Sequence, residues 1–327
     1  MEYINDIAEE DELKGSFIYE KAIRLFEHYN PTSNREYIAK VCYWLCSNLE
    51  PLYDGDSAFE LTPIWDVKLS KEENKRIKRD VERKVVSTCI EIIVSCNGDI
   101  IEPKNNNKQV IVMNNMIKIN SPVIGCGSYG EVYLIDGLAV KAAPWGCLCV
   151  ELSALLRETV ALAKLGRIKF IGMNNDCYYV GMEYYTNKLT FDTPKQTMEQ
   201  LLTELKHIHS LGIIHCDIKV DNIRIDSNGN AKLIDFGCCR FTPAVKASTH
   251  IGTPSYRDYL LHKTYVTDYS YEIDIWSLGI VFYIIEKRKT PWGFMPTIEK
   301  EWDNALDGVS DIIKRMLSLS KDDRYVL

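Results

Sequence analysis

The chain has 327 residues, with 39 lysines and arginines against 46 aspartates and glutamates, and a formal net charge of −7. This length is enough for one large two-lobed domain or for two smaller domains. The acidic balance argues against nucleic-acid binding, because proteins that bind nucleic acids usually carry a surplus of positive charge. We therefore expect no nucleic-acid partner.

The cysteines and the apolar segments indicate the compartment. There are eleven cysteines, and many, such as Cys42 and Cys89, lie inside apolar runs rather than at the spacings of a disulfide framework, which predicts a reducing compartment. The N-terminus is acidic and lacks the apolar core of a signal peptide. The most apolar stretch, 273–285, is too short to span a bilayer. We predict a cytoplasmic protein without a membrane partner; a nuclear location stays open.

Residues 1–112 are predicted to form a helical region of unknown role. Apolar residues recur at helical spacing within 13–29, 38–49 and 71–96, and 105–108 has the composition of a linker. Two interpretations stay open for this region. The favoured one is a helical appendage that packs on its neighbour, and the other is a module that binds a regulatory partner.

After the linker the periodicity changes to that of strands and reaches a glycine-rich stretch, IGCGSYGEV, at 124–132. A Rossmann loop has the same glycine spacing but is followed by a helix, whereas 131–135 alternates like a strand. A Walker loop would need a lysine after the last glycine. We predict a β-hairpin whose glycines let backbone N–H groups approach phosphate oxygens. A plain hairpin turn is the alternative.

The next predicted strand carries an inward-facing lysine. Lys141 ends the apolar run 138–141, and a lysine that faces the interior needs an acidic partner. Two candidates, Glu151 and Glu158, lie on the following helix about two turns apart. The spacing alone leaves both open.

The octet His-Cys-Asp-Ile-Lys-Val-Asp-Asn at 215–222 follows a helix predicted from about Thr197 to Leu211 and is predicted to be a loop. In such a loop Asp217 can accept a hydroxyl proton, Lys219 can neutralise a phosphoryl oxygen and Asn222 can hold a metal, which is the equipment of phosphoryl transfer. Asp235 follows a short apolar strand and supplies a carboxylate for the same ion. Mg²⁺ favours one or two carboxylates together with phosphate oxygens.

These residues resemble two motifs of eukaryotic-type protein kinases. The octet is similar to the H-R-D-x-K-x-x-N catalytic loop, with Lys219 typical of the serine/threonine class, and 235–237 is similar to D-F-G. The resemblance covers roughly the last two thirds of the chain and implies a two-lobed α+β kinase fold with an extra helical N-terminal region. The kinase domain would be 113–327, with a small β-rich N-lobe at about 113–183 and a larger helical C-lobe at about 186–327. A kinase domain as compact as 113–327 resembles the kinases of large DNA viruses.

The resemblance also implies a binding site for ATP and Mg²⁺. Lys141 would hold the α and β phosphates, paired with Glu158 rather than Glu151, because the residues after Glu158 fit the helix of the family better. Asn222 and Asp235 would hold Mg²⁺. The remaining nucleotide contacts would come from the glycine loop, the neighbouring strands and the hinge: Ile124, Gly125, Gly127, Gly130, Val132, Ala139, Met182 as gatekeeper, the Glu183 carbonyl and the Tyr185 N–H.

Further along the chain, Gly252-Thr253 resembles the G-T-x-x-Y of serine/threonine kinases, whose threonine hydroxyl would bridge Asp217 and Lys219. Asp274 starts a D-x-W-S-x-G helix and would brace the catalytic loop, with an ordinary N-cap as the alternative. His207 and His209 are expected at the surface.

The chain departs from the family at several positions. Cys216 replaces the arginine of H-R-D, so we expect activity without obligatory phosphorylation of Ser248 or Thr249. Residues 257–260 replace A-P-E, which removes the glutamate partner of Arg324 and predicts a platform on the substrate side that is either looser or differently braced. Arg224 stands where an apolar residue usually underlies adenine, although its stem can still cover the ring.

The chain also stops just after Arg324, at Leu327, and the resemblance implies that the last helices of the C-lobe are missing. We expect the N-terminal helices to cover what they leave exposed.

The sequence thus predicts an ATP-dependent protein serine/threonine kinase that acts on protein substrates. A pseudokinase that binds a nucleotide or a partner is the alternative. A small-molecule kinase of the aminoglycoside or choline type is disfavoured by Lys219 and Gly252-Thr253.

Overall fold

The structure is a computed structural model, and it describes part of the chain in detail. The described residues are 27, 90, 111–113, 122–127, 130–144, 150–173, 177–190, 192, 194–242, 245–247, 251–259, 261, 267–292, 302 and 304–327. They fall into two compact units, one that ends at Tyr184 and one that runs from Tyr185 to Leu327. Nearly all of the predicted N-terminal helical region, and both Ser248 and Thr249, lie outside the described residues.

Among the described residues, the first unit contains a six-stranded sheet and the helix Val150–Lys164. Its elements are β1 (Ile111–Met113), β2 (Val123–Gly127), β3 (Gly130–Ile135), β4 (Leu138–Pro144), α1 (Val150–Lys164), β5 (Ile168–Met173) and β6 (Cys177–Glu183). The strand order is β1-β5-β6-β4-β3-β2. Strand β1 pairs in parallel with β5, and all other neighbours are antiparallel. Because β1 crosses the predicted boundary between 112 and 113, that boundary falls inside a strand.

The predicted glycine-rich hairpin is confirmed. Strands β2 and β3 pair with Gly127 opposite Gly130, and no helix follows, as a Rossmann loop would require. The sheet core contains Val140, Phe170 and Tyr179. The Phe170 ring lies directly over Gly181, where an added Cβ would approach a ring carbon to 2.1 Å. Only glycine therefore fits beside this ring, next to the predicted hinge.

The described part of the second unit contains helices and several short strands. The α-helices with both ends inside the described residues are α2 (Pro194–Ser210), α3 (Glu272–Lys287) and α4 (Asp311–Met316). Its strands are β7 (Asn187–Lys188), β8 (Ile213–Ile214), β9 (Ile223–Ile225), β10 (Ala231–Leu233), β11 (Arg240–Phe241), β12 (Val245–Ala247) and β13 (Thr267–Tyr269). They form the sheet β10-β9-β7 and the pairs β11-β8 and β12-β13.

Helix α2 starts earlier than the sequence predicted. It begins at Pro194 rather than near Thr197, because proline fits the first turn, where its missing N–H is not needed. After Ser210 the chain turns back through Gly212, whose φ is +72°. This turn leads directly into β8 and the predicted catalytic loop.

Helix α3 is the buried centre of the second unit. Most of its residues, including Trp276 and Phe282, are buried. Helix α4 packs against it at Gly279, where an added Cβ would come within 2.8 Å of Leu317. Within the described ranges, no helix has both the length and the apolar character needed to cross a membrane. The prediction of an α+β fold with a β-rich unit and a helical unit is confirmed.

Candidate active site

The octet 215–222 forms a loop, as predicted, between β8 and β9. Strand β8 is held by pairing with β11, and Val220–Asn222 makes one 3-10 turn before β9 begins. Cys216 has a φ of +64°, a left-handed conformation that is unusual for a residue with a Cβ. The chain therefore reverses sharply just before Asp217.

The Asp217 carboxylate is held by four hydrogen bonds. Oδ1 accepts from the Thr253 N–H at 2.8 Å and from the Thr253 hydroxyl at 2.7 Å. Oδ2 accepts from Lys219 Nζ at 2.9 Å and from Asn222 Nδ2 at 3.2 Å. A carboxylate has about four lone-pair positions, so its orientation is fixed by residues from two separate segments.

Thr253 bridges Asp217 and Lys219, as the resemblance implied. Its hydroxyl donates to Asp217 and accepts from Lys219 Nζ at 2.9 Å. This approach depends on Gly252, whose φ is +80° and where an added Cβ would lie 2.3 Å from the Cys216 carbonyl oxygen. Glycine is therefore the residue that lets the two segments meet.

Lys219 is strongly held in its charged form. Burial alone would lower the pKa of its ammonium, but the hydrogen bond to Asp217 and the negative charges of Asp217 and Asp235 outweigh burial and raise the pKa above its ordinary value. The loop therefore presents a positive charge beside the Asp217 carboxylate.

Asp274 supports the catalytic loop by accepting two backbone hydrogen bonds. The alternative that Asp274 is the N-cap of α3 is wrong. Its carboxylate accepts from the backbone N–H groups of His215 at 2.7 Å and Cys216 at 2.9 Å, whereas the N-cap of α3 is Tyr271. The expectation that His209 lies at the surface is also wrong. Its Nε2 is 2.9 Å from Asp274 Oδ2 and its side chain is 9% exposed, because the end of α2 turns this ring towards α3.

His215 is a site residue to which the sequence analysis gave no role. The Asp217 N–H donates to its Nδ1 at 3.3 Å, and its Nε2 is 3.1 Å from the Ile234 carbonyl oxygen. Its ring also contacts Phe236, with centroids 4.8 Å apart. His215 thus ties the loop to the segment that carries Asp235. Its place at the start of the octet was the only signal.

Asn222 and Asp235 fit the Mg²⁺ that the resemblance implies. Both amide hydrogens of Asn222 are directed to Asp217, so its oxygen Oδ1 is the atom left for a metal, and no hydrogen bond among the described residues involves it. The Ile234 N–H donates to the Asn222 carbonyl at 3.0 Å, which holds the two candidate ligands on adjacent strand ends. One carboxylate and one amide oxygen, completed by phosphate oxygens, make a suitable ligand set for Mg²⁺.

The first unit carries the predicted lysine–glutamate pair. Lys141 Nζ and Glu158 Oε2 are 2.7 Å apart, with side chains 7% and 2% exposed. Lys141 lies on β4 and Glu158 on α1, so the choice of Glu158 is supported by a direct contact. Burial makes the pairing obligatory, since removing one partner would leave an isolated charge in the interior.

The other residues predicted to bind the nucleotide lie on the same sheet, except Tyr185. Val132 is opposite both Gly125 and Lys141 across the strands, and Ala139 is opposite Met182. The remaining members are Ile124 and Gly127 on β2, Gly130 on β3 and Glu183 at the end of β6. Tyr185 begins the second unit.

Arg324 has an acidic partner although the glutamate of A-P-E is absent. Its guanidinium donates to both carboxylate oxygens of Asp258, once at 2.9 Å, and both side chains are 1% exposed. Asp258 lies within the segment that replaces A-P-E and supplies the missing acid. Of the two predicted alternatives, the ion pair supports a differently braced platform rather than a looser one.

Arg224 uses its guanidinium locally. Nη1 donates to the carbonyls of Asp221 at 2.8 Å and Ile223 at 2.9 Å. These bonds curl the head group back towards the start of β9. Whether its stem covers a nucleotide base stays a prediction.

The fold and these groups define the class of protein: a phosphotransferase domain of the protein-kinase type. A sequence model of the protein kinase domain matches residues 168–325. The chain is 37% identical over 117 residues to the serine/threonine-protein kinase MST20 of Pyricularia oryzae, a match that covers 35% of this chain and 12% of that protein. It is 24% identical over 268 residues to the serine/threonine-protein kinase BCK1/SLK1/SSP31 of Saccharomyces cerevisiae, covering 72% and 18%.

A third relative is the probable serine/threonine-protein kinase MARK-B of Dictyostelium discoideum, 30% identical over 150 residues, or 41% of this chain and 21% of that protein. The chain thus spans about a fifth or less of the length of these relatives. With the fold, the match of residues 168–325 and these relatives support a eukaryotic-type protein kinase domain.

Proposed function

We propose that this protein is an ATP-dependent protein serine/threonine kinase that uses Mg²⁺. The observation that carries the proposal is the hydroxyl of Thr253, which joins Lys219 to Asp217 with bonds of 2.9 and 2.7 Å. This arrangement fixes an acid and a permanent cation side by side, as the transfer of a phosphoryl group to a hydroxyl requires.

Asp217 is the residue that orients the substrate hydroxyl and accepts its proton. Its four donors hold the carboxylate in one orientation, and the weakest of them is the Asn222 amide at 3.2 Å. A substrate hydroxyl can replace this bond without disturbing the shorter ones to Thr253 and Lys219. Positioning and proton acceptance together account for several orders of magnitude in rate.

Lys219 stabilises the charge of the phosphoryl group during transfer. Its raised pKa keeps the ammonium charged at physiological pH, and its bonds to Asp217 and Thr253 keep it from turning away. The Lys219–Thr253 pairing also favours serine and threonine hydroxyls as acceptors, in line with the serine/threonine relatives.

The remaining groups are assigned to the nucleotide. Lys141, held by Glu158, binds the α and β phosphates, and the glycine-rich hairpin covers the nucleotide with its backbone. Asn222 Oδ1 and Asp235 hold Mg²⁺, which when bound neutralises charge on the phosphate oxygens. Proteins with serine or threonine side chains are the substrates.

The test is transfer of labelled γ-phosphate from ATP with Mg²⁺ to the protein itself and to generic protein substrates. Asp217→Asn keeps the shape of the side chain but removes the base, so we expect a loss of at least about a thousandfold in rate. Asp307→Asn is the matched control, because Asp307 is exposed in a turn and should leave the rate unchanged. Phosphoamino-acid analysis should find label on serine or threonine.

The pseudokinase alternative makes the opposite prediction. It requires ATP binding, measured by calorimetry, without transfer above the level of Asp217→Asn. Transfer to an aminoglycoside or to choline but not to protein would instead favour a small-molecule kinase. Either result would overturn the proposal.

A further inference from the structure

Arg257 donates two hydrogen bonds to the segment that carries Thr253, and we call this pair of bonds the Arg257 clamp. Its Nε donates to the Ile251 carbonyl at 3.0 Å and its Nη2 to the Gly252 carbonyl at 2.9 Å. The side chain is half-buried. Guanidinium donors lie in a rigid plane, so two successive carbonyls are fixed by one side chain.

One of these carbonyls belongs to the peptide that contacts Asp217. The Gly252 C=O and the Thr253 N–H are the two ends of a single planar trans peptide and point in opposite directions. Arg257 holds the oxygen end, and Asp217 Oδ1 accepts the N–H end at 2.8 Å. The orientation of this one peptide therefore links the guanidinium to the carboxylate.

Neither Cys216 nor Arg240 offers a surface cation in place of Arg257. Cys216 is buried, and burial raises the pKa of its thiol well above the ordinary value, so the residue before Asp217 carries no charge. Arg240 is 3% exposed and donates to the carbonyls of Cys238 and Cys239. Its guanidinium is thus directed into the second unit rather than towards solvent.

We propose that Arg257 is a positioning residue for Asp217, and that its clamp on Ile251 and Gly252 holds the catalytic carboxylate in place without a phosphate on the preceding segment. The effect on rate rests on the proposed kinase function. The effect on the 252–253 peptide does not, and it can be measured separately.

The first measurement is amide hydrogen exchange of Thr253 in the full chain, resolved to single residues by mass spectrometry. Arg257→Met keeps much of the stem but removes both donors. It should speed exchange at Thr253 by about tenfold or more, because the 252–253 peptide is then held only at its N–H end. Asp217→Asn should speed the same exchange. Arg315→Met is the matched control, because Arg315 is exposed and lies over the Tyr325 ring.

The second measurement is steady-state kinetics with ATP and a protein substrate. Arg257→Met should lower kcat by about 10- to 100-fold and leave the KM for ATP within about twofold, because the lost contact orients the catalytic group rather than the nucleotide. Arg257→Lys should recover only part of kcat, since one ammonium cannot match the fork geometry. Added methylguanidine should restore activity to Arg257→Ala but not to Asp217→Asn. Phosphatase treatment should leave the wild-type rate unchanged.

Several outcomes would overturn the inference. The clamp has no positioning role if Thr253 exchanges equally in the wild type and Arg257→Met while Asp217→Asn speeds it. The inference that the Arg257 contact makes a phosphate unnecessary is wrong if dephosphorylated wild-type protein is inactive and regains activity on phosphorylation. A wild type without any transfer refutes the proposed function alone, since the exchange measurement still decides whether Arg257 orients the peptide.

Discussion

The ion pair between Asp258 and Arg324 gives a sharp prediction about stability. Asp258→Asn keeps the size of the side chain but removes its charge, and it leaves the Arg324 guanidinium buried. Breaking a buried pair in this way costs about 3–5 kcal/mol. Arg324 keeps its bond to the Ser318 carbonyl at 2.9 Å and its place over the Trp276 ring, 5.0 Å from the centroid. We therefore expect a loss towards the lower end of that range.

Such a loss is a large share of the stability of an ordinary domain, which is about 5–15 kcal/mol. It corresponds to a fall in the melting temperature on the order of 10 °C. Urea unfolding followed by tryptophan fluorescence is a suitable assay, because Trp276, Trp292 and Trp302 stack on one another close to the pair. The fluorescence change should report the region that the substitution weakens.

Two further variants separate the charge effect from general disruption. Asp322→Asn removes an exposed carboxylate near Arg324 and should change the free energy of unfolding by less than about 0.5 kcal/mol. The double variant Asp258→Leu with Arg324→Met replaces both charges by apolar groups and should recover most of the loss. If Asp258→Asn is as stable as the wild type, or the double variant is no better than the single one, the reasoning about a desolvated charge is wrong.

Three other predictions follow from the site. Gly252→Ala should abolish transfer while the protein stays folded, because the added Cβ meets the Cys216 carbonyl at 2.3 Å; normal activity would contradict the close approach. Cys216 should resist iodoacetamide at pH 8 in the native protein, because its pKa is raised, whereas the partly exposed Cys177 should react faster; equal labelling would contradict this. The pKa of Lys219 is raised, so the stability that its bond to Asp217 contributes is fully present below about pH 10.4 and is lost as the pH rises through the higher folded-state pKa. The difference in unfolding free energy between the wild type and Lys219→Met should therefore stay constant from pH 7 to 10, and a fall within that range would refute the assignment.

The sequence was informative wherever the chemistry lies in a short stretch. Asp217, Lys219 and Asn222 fall within six residues, so their spacing alone predicted a loop with an acid, a cation and a metal ligand. The hairpin at 124–132 was also predictable, because alternation after the last glycine distinguishes a strand from a helix. The Lys141–Glu158 contact needed the resemblance, since spacing left two glutamates open.

Contacts between distant segments were beyond this reasoning. Asp258 and Arg324 are 66 positions apart, and the family pattern pointed to the wrong position for the acid, because a buried arginine can be satisfied by any carboxylate that the backbone brings within reach. The prediction that His209 lies at the surface was wrong for the same reason. Its helical position predicted exposure, but the packing of α2 against α3 turned the ring towards Asp274. Local patterns report which face of an element is apolar, not which polar group meets it across the core.

The departures from the family pattern bear on the choice between an active kinase and a pseudokinase. None of these departures is at a residue assigned to phosphate or metal, and those at Cys216 and 257–260 are at residues next to the catalytic loop or the segment that contacts it. Where the glutamate of A-P-E is missing, Asp258 takes over the pairing with Arg324. Where Cys216 removes the usual arginine, Arg257 holds the segment that reaches Asp217 from the other side. Asp217, Lys219 and Thr253 stay joined by hydrogen bonds although these supporting residues differ from the family pattern. The replacement of supports around an intact set of reactive groups favours an active enzyme whose catalytic loop is braced by its own side chains.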